Sequence, residues 1–174
     1  SGNGVLTSAT DISLSNRGIL TLDNTATNLA DRVVAPINSS CGTLNFTHAG
    51  AAGTNYTETF GTLTLNSGAL TINTSLAASG QNSVLTIPSL VRNAGGTLYV
   101  NGSGMGGNTR NQVIFNSAPA LTNNLVPYIV VNNGTVTRLA THGGNNTSLV
   151  PQTKGYTATQ GSWTTAAINA LPTA

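Results

Sequence analysis

A short alternation of apolar and polar positions recurs along this chain and predicts a set of β-strands. Each copy reads Gly, any residue, Leu, any residue and then a large apolar residue. The copies occupy residues 18–22, 42–46, 61–65, 68–72 and 96–100. Because successive side chains of a strand point to opposite faces, the third and fifth residues of each copy share one apolar face. Four copies are closely followed by an Asn or Asp typical of a turn that ends a strand: Asp23, Asn66, Asn73 and Asn101.

The spacing of these copies favours a solenoid. Successive copies begin 24, 19, 7 and 28 residues apart, and most of these intervals match one coil of such a fold. The 7-residue step indicates two strands joined by a corner at residues 66–68, with a tight hairpin as the competing interpretation. In a solenoid, each coil completes the apolar core and the backbone ladder of its neighbours.

Further strands are predicted outside the five copies, and no helix is predicted. These strands cover residues 32–35, 83–87, 112–115, 127–131 and 135–139. We therefore predict an all-β fold, a parallel β-helix or β-solenoid-like stack of short strands, with an antiparallel β-sandwich as the alternative. Residues 1–174 are expected to form a single β-rich domain or a segment of a longer repetitive extracellular protein. The repeats lie in 18–101, and a downstream β part covers 112–174.

The composition fits a stack of strands. Asn, Thr, Ser and Gly supply 85 of the 174 residues, and charged residues make up 6%, against about 25% in an ordinary soluble domain. Outward rows of Thr and Asn can form ladders of like residues, whereas charges stacked directly above one another would repel. A hydrophobic share of 39% with a net charge of +2 is unlike a disordered chain, so we expect the chain to fold.

The charge and hydropathy patterns bear on the class of partner. The six basic residues lie singly along the chain, so no basic patch for nucleic acid is predicted. No apolar run approaches the roughly 18 residues of a membrane-spanning helix. We expect neither nucleic acid binding nor membrane insertion.

The repeat resembles the autotransporter-associated β-strand repeat of very large bacterial surface proteins, and residues 61–72, GTLTLNSGALTI, carry the core of the likeness. A second likeness lies in residues 118–128, 138–144 and 156–158, which look like the segment that recurs between such repeats. The resemblance implies a right-handed parallel β-helix, secretion to the cell surface, and a role in adhesion or matrix building. The chain departs from the family in having only five, unevenly spaced copies. The family has no catalytic residues to carry over.

One motif imitates a nucleotide-binding fingerprint. Residues 102–107 read G-x-G-x-x-G directly after a predicted strand. The dinucleotide fingerprint also needs a following helix and an acidic residue about 20 positions later. Residues 108–115 are predicted as loop and strand, and no Asp or Glu occurs after Glu58. We predict a glycine-rich turn and no bound cofactor.

Few side chains could support catalysis or hold a metal. The carboxylates are Asp11, Asp23, Asp31 and Glu58. A glycosidase needs two carboxylates across the scissile bond, and Asp23 and Asp31 could approach each other on one coil, but we expect turn and capping roles. His48 and His142 are expected to be exposed or locally bonded loop residues. Without several Cys or His ligands at short spacing, no metal site is predicted.

Some other residues invite specific expectations. Cys41 is the only cysteine and is predicted to be a small buried apolar residue, while Phe46, Phe60 and Phe115 are predicted to fill the core. Trp163 is a candidate interface residue or cap. Asn-x-Ser/Thr sequences make eight asparagines candidate glycosylation sites: Asn38, Asn45, Asn55, Asn73, Asn101, Asn133, Asn145 and Asn146.

These observations lead to one main functional hypothesis and two alternatives. We expect a non-catalytic extracellular or cell-surface structural protein, either a passenger segment of an adhesin or a filament subunit that self-associates through β-edges. Its partners would be copies of itself or neighbouring modules of the same surface protein, with glycans as a further ligand class. One alternative is a carbohydrate-binding or carbohydrate-active β-helix, with a groove containing Asp23, Asp31 or Glu58 and a tyrosine. The other is a viral tail or capsid component.

Overall fold

A computed structural model describes residues 4–6, 9–105, 109–122, 125–142 and 149–151, in which fourteen β-strands form three sheets. The four-stranded sheet contains β1 (Ile12–Leu14), β3 (Ile37–Ser39), β6 (Leu63–Leu65) and β9 (Leu90–Arg92). The seven-stranded sheet contains β2 (Gly18–Asn24), β4 (Gly42–His48), β7 (Gly68–Thr74), β10 (Gly96–Asn101), β12 (Val126–Asn132), β13 (Thr137–His142) and β14 (Leu149–Pro151). The three-stranded sheet contains β5 (Tyr56–Thr59), β8 (Ser83–Ile87) and β11 (Gln112–Phe115).

The chain winds through the three sheets in turn and forms a solenoid of about four coils. The first coil contains β1 and β2, the second contains β3, β4 and β5, the third contains β6, β7 and β8, and the fourth contains β9, β10 and β11. Each strand of the second and third coils pairs in parallel with its counterpart in the following coil. Gly18 pairs with Gly42 and Leu98 with Ile129, so the coil length varies from 24 to 31 residues. The predicted parallel β-solenoid is therefore confirmed, and the antiparallel sandwich is wrong.

The copies of the repeat coincide with strands of the solenoid. The copies that begin at Gly18, Gly42, Gly68 and Gly96 form strands of the seven-stranded sheet, whereas the copy at residues 61–65 lies mainly in the four-stranded sheet. Residues 66–67 therefore turn a corner between two sheets, and the hairpin interpretation is wrong. The strands predicted at 83–87 and 112–115 match β8 and β11, and those at 127–131 and 135–139 overlap β12 and β13.

The strand predicted at residues 32–35 does not form. In this segment only Val33 makes an isolated parallel bridge, with Leu6. Its backbone N–H donates to a carboxylate oxygen of Glu58 at 3.1 Å, which removes it from a strand ladder. Asp31 has a φ of 52°, outside the extended region, and Pro36 has no N–H to donate. Local backbone geometry thus overrides the β-branched sequence.

The apolar faces of the strands meet inside the solenoid. Phe46, Phe60 and Phe115 are buried there as predicted, with the leucines and isoleucines of the repeats. Burying each such side chain fully contributes about 1.5–3 kcal/mol. The coils approach closely: a Cβ on Gly96 would lie 2.6 Å from the carbonyl oxygen of Leu65 in the preceding coil. This contact explains the glycine that begins the motif in β10.

The connections between the sheets differ in length. Two or three residues connect the four-stranded sheet to the seven-stranded sheet, and each such turn contains or borders a residue with positive φ, such as Arg17, Cys41, Gly68 or Gly95. Cys41 has a φ of 141°. Its side chain is partly exposed, so the prediction that it is buried is wrong. Connections from the seven-stranded to the three-stranded sheet contain seven, eight and ten residues. A search of the described residues found no helix long and apolar enough to cross a membrane.

Candidate functional site

A row of side-chain amides runs across the outward face of the seven-stranded sheet. Asn45 donates from Nδ2 to Oγ1 of Thr21 at 3.2 Å, and Asn73 donates to Oδ1 of Asn45 at 2.9 Å. Asn101 donates to Asn73 at 3.1 Å, and Asn132 donates to Asn101 at 3.0 Å. We name these five residues the asparagine ladder. Its inner amides both donate and accept, so side chains as well as backbone tie five consecutive strands together.

The ladder depends on a shift in strand register. β4 and β7 pair Gly42 with Leu70, whereas the β2–β4 and β7–β10 pairs match glycine to glycine. This two-residue offset brings Asn45 opposite Asn73. Glycine-to-glycine pairing would instead have placed Asn45 opposite Thr71, so the amides would not have stacked.

Three of the candidate glycosylation sites belong to the ladder. Asn45, Asn73 and Asn101 use their amide nitrogens to bond to the preceding coil. Adjacent strands of a sheet lie about 4.8 Å apart, too close for glycans on neighbouring ladder positions. A glycan at any of these three asparagines would therefore compete with the ladder.

The other candidate glycosylation sites have different surroundings. Asn55 is exposed, and its Oδ1 accepts the N–H of Asn82 from the next coil at 2.9 Å. Asn38 donates to a carboxylate oxygen of Asp11 at 3.0 Å, and Oδ1 of Asn133 accepts backbone N–H groups within its own turn. Asn145 and Asn146 lie outside the described residues.

Glu58 is a buried carboxyl on the inner face of β5. Its side chain has no exposed surface. Oε1 accepts the N–H of Val33, and buried Oε2 has no hydrogen-bond partner among the described residues. Burial raises the pKa of Glu58 to about 7 from the ordinary 4.5, and Asp31 raises it further, against hydrogen bonds from Val33 and Arg32 and the charge of Arg32. Glu58 thus fastens residues 31–33 of the first coil to the second coil.

The three carboxyls considered for sugar hydrolysis, Asp23, Asp31 and Glu58, have different surroundings. Asp23 lies one residue before the end of β2 and accepts hydrogen bonds from the hydroxyl and the N–H of Thr25, which lower its pKa. This geometry confirms its turn role. Asp31 is exposed, whereas Glu58 is inside the solenoid. A carboxyl with no exposed surface cannot reach a sugar beside Asp23 or Asp31 in this conformation.

His48 lies inside the solenoid at the end of β4. Its ring stacks on that of Tyr56, with centroids 3.9 Å apart and an interplanar angle of 9°. Nδ1 accepts the N–H of Gly50 at 3.1 Å, so Nε2 carries the proton and donates to the carbonyl of Ser75 at 3.0 Å; the hydroxyl of Ser83 is also 3.0 Å from Nε2. Burial lowers the pKa of His48. The bond from Gly50 fits the locally bonded alternative of the prediction. His48 is only 8% exposed and belongs to β4, so its placement in a loop is wrong.

Of the other residues that the sequence analysis singled out, some are described by the structure and some are not. Within the glycine-rich motif, Gly102 and Gly104 donate their N–H groups to the carbonyls of Asn132 and Asn133 in the next coil, and residues 103–105 form the predicted turn. Residues 106–107 and Trp163 are outside the described residues, as is the side chain of His142. Among the side chains that the structure describes, no three of the His, Cys, Asp and Glu type could hold a metal ion together.

The two ends of the seven-stranded sheet differ. At the C-terminal end, β12 pairs with β13 and β13 with β14, both in antiparallel orientation. β14 also lies close to β11 of the three-stranded sheet. At the other end, β2 is the last described strand and pairs only with β4. On β2, Ile19 is 67% exposed, so an apolar side chain lies beside the edge that has no partner strand among the described residues.

The chain was compared with protein-family models, with curated proteins and with solved structures, and none of the three comparisons found a match.

Proposed function

We propose that this chain is a non-catalytic structural module of an extracellular or cell-surface protein, and that it associates through strand edges. The outer edge of β2 carries this proposal, because among the described residues β2 pairs only with β4, and Ile19 beside this edge is exposed. Exposed edges of this kind accept an added strand from another polypeptide. The module would pair with a copy of itself or with a neighbouring module of the same surface protein.

The asparagine ladder supports an extracellular role. Its members carry no titratable group, so acid or base leaves their hydrogen bonds in place, and salt does not screen them as it screens ion pairs. Each neutral hydrogen bond contributes about 1 kcal/mol to stability. Cohesion of this kind suits a protein that meets changing pH and ionic strength. The resemblance of residues 61–72 to repeats of bacterial surface proteins points to the same location.

Labelling of intact cells tests the proposed location. Antibodies raised against the chain would be applied to intact and to permeabilised cells of the source organism, followed by gold-conjugated secondary antibody and electron microscopy. We expect equal labelling of both preparations, because the epitopes would already lie outside the cell. An antibody against a cytoplasmic protein serves as the control and should label permeabilised cells only. Labelling of the chain in permeabilised cells alone would refute the surface location.

A further inference from the structure

The inner amides of the asparagine ladder use half of their hydrogen-bonding capacity within the ladder. A side-chain amide has two N–H donors and an oxygen with two lone pairs. Asn45, Asn73 and Asn101 each donate one hydrogen bond to the preceding coil and accept one from the next. One N–H and one lone pair of each of these amides therefore remain for another partner.

The remaining groups point away from the sheet. Each inner amide bonds to its two neighbours in opposite directions, so the N–H that it uses is the one anti to its own carbonyl. The other N–H and the other lone pair then share the edge of the amide that is remote from Cβ. Asn45, Asn73 and Asn101 are partly exposed on the outward face. Because adjacent strands lie about 4.8 Å apart, the ladder presents an outward donor and acceptor at each of three successive rungs.

A second row of outward side chains lies beside the ladder, two residues earlier in each strand. Thr43, Thr71, Tyr99 and Val130 occupy directly paired positions on β4, β7, β10 and β12, and all four are partly exposed. Two residues of a strand span about 6.6 Å, so a row with methyl groups and an aromatic ring runs parallel to the amide row at that distance. We name these four residues and the asparagine ladder the outer face.

The chemistry of the outer face fits a neutral carbohydrate. None of its nine residues carries a formal charge at pH 7, so the face offers no counter-charge to an ionic ligand. Sugar hydroxyls both donate and accept, which matches the outward N–H and lone pair of each inner amide. The C–H face of a pyranose ring is apolar and can pack on the ring of Tyr99.

The spacing of the rungs favours an extended sugar chain. In a ribbon of β-1,4-linked pyranoses, each ring advances by a length close to the spacing of adjacent strands, about 4.8 Å. Successive rings of such a ribbon can therefore meet successive rungs of the ladder. An α-linked glucan coils instead, so it would leave the face after a short contact.

We infer that the outer face binds a neutral β-1,4-linked polysaccharide that lies along the solenoid axis. Its ring faces pack against Tyr99 and the neighbouring methyl groups, and its hydroxyls bond to the outward edges of Asn45, Asn73 and Asn101. This inference goes beyond the proposed association through strand edges and does not depend on it. The strands that carry the site, β4, β7, β10 and β12, are each paired on both sides.

Affinity electrophoresis of the purified chain tests the class of ligand. Native gels would contain hydroxyethyl cellulose or glucomannan, which have neutral β-1,4-linked backbones. Control gels would contain dextran, which is neutral but α-linked. We expect the chain to be retarded in the first two gels and to run freely in dextran. Equal mobility in all gels would overturn the inference, and so would equal retardation by dextran.

Substitution of Tyr99 tests the stacking contact. The dissociation constant for cellohexaose, measured by titration calorimetry, should rise about tenfold in Tyr99→Ala. Tyr99→Phe keeps the ring and should bind as the native chain does. The matched control Val91→Ala truncates an exposed side chain of the four-stranded sheet and should leave binding unchanged. Circular dichroism and thermal melting serve as folding controls. Equal dissociation constants for the native chain and a folded Tyr99→Ala would contradict the proposed contact.

NMR locates the contact without any substitution. In the ¹⁵N-labelled chain, the side-chain NH₂ signals of Asn45, Asn73 and Asn101 should shift as cellohexaose is added. The side chains of Asn66 and Asn93, which bond to each other at an exposed corner, serve as internal controls and should not shift. Shifts that spare the ladder would overturn the inference.

Sedimentation velocity distinguishes sugar binding from contact between copies of the chain. We expect the native chain and Tyr99→Ala to show the same distribution of sizes over a hundredfold range of concentration. Self-association that Tyr99→Ala abolishes, in a chain that binds no cellohexaose, would make the outer face an interface between copies and overturn the inference. None of these results affects the labelling of intact cells.

Discussion

Replacement of Glu58 by Gln tests whether the inner carboxyl of β5 is neutral in the folded protein. The pKa of Glu58 is raised from 4.5 to about 7 by burial, so the folded state binds this proton more tightly than the unfolded state does. Its contribution to stability is complete below pH 4.5 and is lost as the pH rises to about 7. The difference between these pKa values corresponds to about 3 kcal/mol, of which none remains above pH 7.

The measurement compares the two proteins across pH. Urea denaturation at pH 4, 6 and 8 gives the free energy of unfolding of the native chain and of Glu58→Gln. The amide of Gln is nearly isosteric and can still accept the N–H of Val33, but it does not ionise. We expect the difference in stability between the two proteins to change by about 3 kcal/mol in favour of the variant from pH 4 to pH 8. Parallel pH profiles would refute the buried neutral carboxyl.

Further predictions address the ladder, the close approach of coils and the inner histidine. Asn73→Leu removes one donated and one accepted hydrogen bond. In a urea titration it should lower the free energy of unfolding by about 2 kcal/mol. The control Asn66→Leu removes one exposed side-chain hydrogen bond and should lower the free energy of unfolding by about half as much or less. Gly96→Ala should cost about 1–3 kcal/mol through overpacking, seen as a lower melting temperature, while Gly4→Ala, with nothing within 4 Å of the added Cβ, should leave it unchanged. An NMR titration should give His48 a pKa below 6.5 in the folded protein and near 6.5 in urea. Because the unfolded state then binds the proton more tightly, the contribution of His48 to stability grows as the pH rises towards 6.5. A pKa of 6.5 or more in the folded protein would contradict its burial.

The strand pattern was predictable because it depends on alternation within a few residues. The Gly-x-Leu repeat identifies β2, β4, β7 and β10 almost to the residue, since inward Leu and outward Thr or Asn are legible locally. The same alternation could have placed His48 and Glu58 inside: His48 follows Leu44 and Phe46 at even spacing, and Glu58 follows Tyr56. The polar character of these two side chains favoured a loop or surface role instead.

The register between strands and the backbone geometry of the corners could not be predicted from the local alternation of residues. The asparagine ladder requires the two-residue offset between β4 and β7, and that offset depends on how whole coils pack. Likewise, Val33 and Val34 are residue types that favour a strand. A strand does not form there, because Asp31 has a positive φ and the N–H of Val33 donates to Glu58 instead of to a neighbouring strand. Local sequence identifies strands, whereas contacts between coils decide how the strands align.

The short and long corners of the solenoid differ in how much room they leave for inserted residues. The short corners bring their residues against the preceding coil, as Gly68 shows with its would-be Cβ 3.2 Å from the carbonyl oxygen of Ser40. The long connections instead carry open tips, and no neighbouring atom lies within 4 Å of the Cβ that would be added at Gly53 or Gly80. Foreign peptides spliced at these tips would project from one side of the rod while every rung kept its register. Because adjacent coils lie only about 4.8 Å apart, grafts would be placed in alternate coils, where about 10 Å separates neighbouring inserts.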